Sequence, residues 1–587
     1  MTFSDPPTFN DANLLGQSVT LLPGGSASLH KKRSLPEPPP LGCTIPNRDH
    51  AISVQFPSWE DVCGYATGNP AIVNSLQNGY PRTFLHKDVQ AFLDTCGQVL
   101  LVTPEELAVF PDYPTAADCK SFMTSHRINP TDAAKPEEIS IMAVDLDEGH
   151  GQSTVGEEPL SISRVYAVVH PARVHGLKMT FWRLTGRGIS SRMAQQCLES
   201  TPRITKATGP PPEPFPAPFP PIYNVVRDRV VQLLDRAPLN PQRSDRARRD
   251  DVYLYPSGMA ALYHVHHSLL DWRYADIIML GFPYELSIKM IEIMGAPYRF
   301  FSLGTDSEIN ELEAMLIAKS RTGSKIQAVW CECPNNPMLR MVDLGKVRKL
   351  ADKFDFLFVV DDTIGSFANI DVLDVADVVV TSLSKNFSGF GDVLAGSVYL
   401  NPNFPHYDEL KSLFNGSYVN NLYVGDAIQL ELNSRDYLER FSLQNDTASY
   451  LVDYLHPYVS DPKSALTNVY YPKVCWSKDN YRAFMRTTTE DFEPGFGGLF
   501  SVDFENTTAA SAFFDNLYVH KGPSFGAHIT ISIPYVQLVM QKQKEWAASH
   551  GLKETLVRVS VGLEDKEALL ECIKGALKAA DATKENN

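Results

Sequence analysis

Ala328-Val329-Trp330-Cys331-Glu332-Cys333 is an apolar run that stops at Pro334-Asn335-Asn336-Pro337. Two further runs follow it, Phe356-Leu357-Phe358-Val359-Val360 and Ala376-Asp377-Val378-Val379-Val380. Between the first two, Asp343 is a plausible helix N-cap, ahead of Leu344, Val347, Leu350, Ala351 and Phe354 at helical spacing. A strand, a helix and a strand, with the strands apolar almost throughout, predict a parallel sheet with crossover helices. Ligands of such sheets sit beyond the carboxyl ends of the strands. The polar residues just past each run are therefore the candidates: Asn335 and Asn336, then Asp361-Asp362-Thr363, then Thr381-Ser382-Leu383-Ser384-Lys385. Upstream, Tyr255-Pro256-Ser257-Gly258-Met259-Ala260-Ala261 reads as a turn of small residues opening a helix. Such a turn offers free backbone N–H groups and a positive dipole end, which suit a phosphate.

Outward from this stretch the chain is long, 587 residues, and predicts two or three domains. Two proline-rich segments, Leu35 to Pro40 and Pro210 to Pro221, read as extended spacers because proline continues neither helices nor central strands. They set off a flexible tail 1–44 and an N-terminal extension 45–224 from the remainder, 225–587. The hydrophobic fraction of 43% supports large cores and excludes collagen, coiled coil and wholesale disorder. With 53 basic and 69 acidic residues the formal charge is −16, which argues against a broad nucleic-acid or anionic-membrane surface. Nine cysteines in so long a chain make no disulfide scaffold. No secretory leader and no run approaching roughly 18 apolar residues is visible. The expectation is a soluble, reduced, cytoplasmic protein without nucleic-acid or membrane partners.

Taken singly, each candidate has a plain reading. A lysine after a strand is usually a solvated surface residue, and an aspartate there is more often a cap or turn former. Together, a lysine, a carboxylate, a phosphate nest and an aromatic describe a pyridoxal phosphate site. In such a site the carboxylate keeps the pyridine nitrogen protonated, so that the ring absorbs negative charge.

These segments, in this order, resemble the Cys/Met-metabolism family of pyridoxal phosphate enzymes. The likeness rests on Ser257-Gly258-Met259-Ala260-Ala261, Glu332-Cys333-Pro334-Asn335-Asn336-Pro337, Val360-Asp361-Asp362-Thr363, Ser382-Leu383-Ser384-Lys385 and Arg558-Val559-Ser560-Val561-Gly562-Leu563-Glu564. Within the family, His50-Ala51-Ile52-Ser53-Val54, Gly79-Tyr80-Pro81-Arg82 and Lys521-Gly522-Pro523-Ser524 look like the fungal cystathionine γ-synthase type, extending the likeness over nearly the whole chain. The resemblance implies an α/β, aspartate-aminotransferase-like fold (fold type I), with a large mixed or parallel-sheet cofactor domain over 225–430, a smaller C-terminal α/β domain over 431–587 and an N-terminal extension. It implies pyridoxal 5′-phosphate as cofactor, small amino acids as substrates, and a homodimer or homotetramer.

The resemblance also implies residue roles. Lys385 matches the lysine joined to the cofactor, and Asp361 the partner of its ring nitrogen. Ser382 and Ser384 match the hydroxyls that hold the phosphate with the Gly258 and Met259 amides. Asn336 matches the contact to the ring oxygen, and Tyr284 the ring-stacking tyrosine that also assists proton transfer. Arg558 matches the arginine for the substrate carboxylate, a task suited to a planar fork. Ser524 matches the serine near the substrate loop. Relatives place a Tyr-x-Arg pair shortly before Ser257, where it reaches a neighbouring subunit's phosphate. Here Tyr80 and Arg82 are the candidates for that part, with an insertion of roughly residues 100–240 between, and a structural turn at Tyr80-Pro81-Arg82 is the alternative reading. The family's Gly-His after the lysine is Gly389-Phe390 in this chain.

The implied activity is γ-replacement of an O-acylhomoserine (acetyl or succinyl) by cysteine, giving cystathionine for methionine biosynthesis. The same toolkit serves cystathionine lyases, homoserine sulfhydrylases and secondary-metabolism homologues. A catalytically idle regulatory protein of this fold would be expected to lack Lys385 or Asp361, and neither is lost. No metal is expected. Cys331 and Cys333 lie on a strand where alternation of faces is taken to separate them. His264, His266 and His267 offer only His264 and His267 on a common face, with no third ligand.

Overall fold

A computed structural model describes residues 35–146, 154–155, 158–159, 164–200, 202–207, 209 and 220–585. Most of the expected N-terminal tail and most of the second proline-rich spacer therefore lie outside the described residues.

The apolar runs form the centre of a seven-stranded sheet. Its order is Val252–Tyr255, Gly396–Leu400, Val378–Thr381, Leu357–Asp361, Ala328–Glu332, Ile277–Leu280, Tyr298–Phe301. The last five in that order run parallel, and only Gly396–Leu400 opposes its neighbours. Every residue of Ala328–Glu332 and Val378–Thr381 is buried, as a sheet covered on both faces requires. One face packs with the Leu344–Phe354 helix and the other with the Gly258–Trp272 helix. Asp343 caps the first of these helices by accepting the Lys346 N–H at 2.9 Å. The register sets Glu332 beside Asp361, and Asp361 beside Val380, so three strand ends finish at one level.

A second sheet, in the order Leu466–Tyr470, Leu499–Phe504, Val557–Ser560, Ile531–Pro534, His520–Lys521, is antiparallel except at its last pair. The C-terminal helix Lys566–Glu585 shares its core, contributing Leu569, Ile573, Ala576 and Leu577. Together the two sheets make an aspartate-aminotransferase-like, type I pyridoxal phosphate fold.

A four-stranded antiparallel sheet lies ahead of them: Leu107–Phe110, Arg164–Val169, Ser140–Leu146, Pro202–Lys206. The segment before it does not join this sheet. Val54, Phe56, Val62 and Ile72 pack into the core of the C-terminal sheet, and Ile45 packs against Ala527, Ile529 and Ile531. Backbone bonds fasten the segment there: the Phe56 N–H donates to the Lys521 carbonyl and the Ile52 N–H to the Gly391 carbonyl, each at 2.8 Å. No helix among the described residues is long and apolar enough to cross a membrane.

Candidate functional site

The strand ends open into a cavity of about 650 Å³. Lys385 follows the Val378–Thr381 strand in a buried turn, and its Nζ donates to the Tyr80 hydroxyl at 3.1 Å and to the Ser524 hydroxyl at 3.4 Å. The rings of Tyr80 and Phe525 flank the same nitrogen at 4.8 and 4.7 Å. Burial alone would raise the Tyr80 phenol, but the charges of Lys385 and Arg82 outweigh it and hold the phenol below its ordinary range.

Asp361 and Asp362 end the neighbouring strand, and alternation separates them. Asp361 lines the cavity and accepts the Thr363 N–H at 2.9 Å. Asp362 turns inward and accepts the Thr381 hydroxyl at 2.6 Å. Burial pushes Asp361 up to about 6 and Asp362 to about 7. Glu332, one strand over, is pushed well above the carboxylate range by burial and by Asp361 beside it.

Glu332 is a site residue that stands in a matched motif but was given no role there. Its two oxygens accept the Tyr284 N–H at 2.6 Å and the Asn336 N–H at 3.1 Å, tying the two segments that carry those side chains. The signal was present: Glu332 ends a strand, and the register sets it directly beside Asp361. Arg440 was also missed. It is fully buried and donates to the carbonyls of Asn386, Phe387, Ser388 and Asn433, clamping the turn after Lys385. Gly389 makes room for it, with φ +74 and an added Cβ only 1.6 Å from Arg440 Nη1. No local pattern announces an arginine that acts on a turn 50 residues earlier.

Arg558, buried, is held in place by donating to Asn336 Oδ1 at 3.1 Å and to the Pro523 and Ser524 carbonyls at 2.8 and 3.4 Å. The Phe525 and Tyr535 rings flank it at 5.1 and 5.3 Å. Tyr284 precedes the Glu285–Met294 helix and lines the same cavity. At the opposite end, Ser257 caps the Gly258–Trp272 helix by accepting the Ala260 N–H at 3.0 Å. Gly258 faces Ser382, whose Cβ would lie 2.8 Å from an added Gly258 Cβ. The N–H groups of Gly258 and Met259 make no hydrogen bond among the described residues, as the first donors of a helix are left free. The Ser384 oxygen is committed to Ala395, donating to its carbonyl at 3.1 Å and accepting its N–H at 2.9 Å.

These residues fit pyridoxal phosphate. One end of the cavity holds free N–H donors, a serine hydroxyl and arginines, a carboxylate lines its wall, and a buried amine lies within it. Of the residues expected from the sequence, Tyr80, Arg82, Gly258, Met259, Tyr284, Asn336, Asp361, Ser382, Ser384, Lys385 and Arg558 all line it. Ser524 touches Lys385 and Arg558 from behind its neighbours Pro523 and Phe525.

One expectation about the cysteines is corrected. Cys331 and Cys333 are two residues apart, Cys333 lying just past the strand end at Glu332, so they point the same way and enter the same core. Burial pushes both thiols up, which makes them inert apolar packing. The helix histidines diverge: His264 packs on Tyr255 and Phe414, His266 on Trp330, and His267 lies 3.9 Å from Asp271. Among the described residues one metal-compatible group comes together, His50, His86 and Asp88. The Nδ1 of each ring is already engaged, His50 Nδ1 with the Ser191 hydroxyl at 3.0 Å and His86 Nδ1 with the Asp88 N–H at 3.2 Å.

Comparison with known proteins agrees with this geometry. The family described as Cys/Met metabolism PLP-dependent enzyme matches residues 246–578, and the fungal trans-sulfuration enzyme N-terminal domain matches residues 88–190. An alanine racemase of Aspergillus violaceofuscus is 38% identical, covering 92% of this chain and 96% of its own. A cystathionine γ-synthase-like enzyme of Amanita muscaria is 33% identical over 93% and 97%, and the cystathionine γ-synthase of Neurospora crassa 29% over 92% and 98%. Among solved structures, cystathionine γ-synthase from Xanthomonas oryzae pv. oryzae superposes with a TM-score of 0.50 at 22% identity, over 62% of this chain and 86% of that one.

Proposed function

The chain belongs to the Cys/Met-metabolism family of pyridoxal-phosphate-dependent enzymes, and from that premise we propose that it carries its cofactor on Lys385 and performs γ-replacement on an O-acylhomoserine, with cysteine as the incoming thiol. The observation that carries this reading is the Lys385 amine: buried, bonded to Tyr80 and Ser524, and sharing one cavity with Asp361 and Arg558.

When bound, pyridoxal phosphate supplies an electron sink that makes the Cα–H of an attached amino acid acidic. We assign Asp361 to its ring nitrogen, Tyr284 to its ring face and Asn336 to its ring oxygen. Gly258, Met259, Ser382 and Arg82 hold the phosphate, with Ser384 bracing the turn through Ala395. Arg558 takes the substrate carboxylate, and its three hydrogen bonds to Asn336, Pro523 and Ser524 fix the plane of the fork before substrate arrives. Lys385 takes the Cα proton and returns it, a task for which it sits within reach of a second acid–base group, the Tyr80 hydroxyl. Glu332, through the Tyr284 and Asn336 amides, keeps the stacking ring and the Arg558 partner in register.

A second reading, racemisation of a small amino acid, is favoured by one observation besides the racemase relative. A second acid–base group beside the lysine serves the exchange of the Cα proton between faces, and the Tyr80 phenol, lowered by its cationic neighbours, stands 3.1 Å from Lys385. Product analysis separates the two. Purified enzyme is given O-acetyl- or O-succinylhomoserine with and without cysteine, and separately L-alanine in D2O. Cystathionine formation supports γ-replacement, ketobutyrate alone supports elimination, and D-alanine carrying deuterium at Cα supports racemisation.

A further inference from the structure

Two arginines stand at the phosphate end of the cavity without a counter-charge. Arg82 is buried, and among the described residues its guanidinium makes no ion pair and no hydrogen bond; it rests over the Trp182 ring at 5.8 Å. Arg183 lines the same cavity and uses only its Nε, which donates to the Arg82 carbonyl at 2.7 Å. Among the described residues no carboxylate pairs with it. Setting two like charges together, one of them buried, is unfavourable unless an anion joins them.

A separate contact bears on where an anion would be held. The His175–Thr185 helix ends at Gly186 in a left-handed conformation, φ +61, and the Gly186 carbonyl accepts the Ser257 hydroxyl at 2.9 Å. The approach is close enough that a Cβ on Gly186 would lie 2.2 Å from Ser257 Oγ and 2.9 Å from Met259 Cβ. The inserted region thus presses a helix C-terminus onto the turn that opens the Gly258–Trp272 helix. A helix C-terminus carries partial negative charge and by itself would repel an anion at that turn. Arg183, in the last turn of the same helix, reverses the sign.

We propose that Arg183 is a second cation of the cofactor's phosphate site, contributed by the inserted region 88–190 and acting beside Arg82. The proposal rests on the cavity being a pyridoxal phosphate site, and it gives the insertion a role in cofactor capture. Two guanidinium groups match a dianionic phosphate in charge, and both present planar N–H forks.

The test is titration of apo-protein with pyridoxal 5′-phosphate and, separately, with pyridoxal, which lacks the phosphate, following visible absorbance. Arg183→Ala is expected to lose about 10- to 100-fold in affinity for the phosphorylated aldehyde, and to bind pyridoxal as the wild type does. Arg183→Lys is expected to recover part of the loss, which a merely misfolded variant would not do. Equal loss for both aldehydes, or no loss for either, overturns the proposal. A wild-type protein that binds neither aldehyde overturns the cofactor assignment itself, and this proposal with it.

Discussion

The carboxyl ends of the central sheet and the region ahead of it, residues 41–206, both supply side chains to one cavity, but by different physical routes. Asp361, Glu332, Ser382 and Lys385 arrive by topology: neighbouring parallel strands end at one level, and whatever follows them must meet there. Tyr80, Arg82 and Arg183 arrive by docking, through contacts as distant in sequence as Tyr80 with Lys385 and Gly186 with Ser257. A site built by both routes has a scaffolded chemical centre and a periphery that depends on packing between remote segments.

Substitutions can break this comparison, the largest effect coming from the scaffolded side. Lys385→Ala is expected to lower turnover by at least about 10²–10⁴-fold, measured as cystathionine or D-alanine formed, while leaving the thermal midpoint near wild type. Next is Arg558→Ala, which removes charge-assisted bonds to substrate and should raise KM by about 10- to 100-fold; Arg558→Lys is expected to recover little, because the fork that meets Asn336 and the 523–524 carbonyls is lost. On the docked side, Tyr80→Phe removes one hydroxyl and keeps the ring over Lys385. A roughly tenfold loss is expected, falling on kcat rather than KM. If Tyr80→Phe matched Lys385→Ala in severity, the division between centre and periphery would fail.

The smallest expected effect is on stability and sharpens the same contrast. Asp361 and Asp362 are raised by burial to about 6 and about 7. The folded protein therefore holds these protons more tightly than the unfolded chain does. Their contribution is complete below the ordinary aspartate range and is lost as pH rises through about 6 to 7, by at most about 1.4 kcal/mol per pH unit for each proton. Apo-protein should accordingly melt earlier at pH 8 than at pH 5. Asp361→Asn should flatten that slope, and bound cofactor should oppose it by placing a cationic ring nitrogen beside Asp361. Melting curves of apo- and holo-protein across this range check all three.

The two routes also decide what was legible. The apolar runs ending in polar residues announced the parallel sheet, and strand alternation distinguishes Asp361 from Asp362 once the register is known. Tyr80 and Arg82 were found through a motif rather than through periodicity, because nothing in residues 79–84 says which strand end they will meet. Arg440 and Arg183 were not found. Each meets residues far along the chain, Arg440 at 386–388 and Arg183 at Arg82, on a helix whose end at Gly186 meets Ser257, and long-range packing of that kind leaves no local pattern. The same limit explains why residues 45–76 read as part of one N-terminal unit, whereas Ile45, Val54, Phe56 and Ile72 pack with the C-terminal sheet and the loop beside it.

The central claim is tested most directly by reducing the holoenzyme with borohydride, digesting it and mapping the peptides by mass spectrometry. A phosphopyridoxyl group on the peptide that contains Lys385, and absent from the Lys385→Ala protein, is the predicted result. The same group on a different lysine, or on none, would contradict the account.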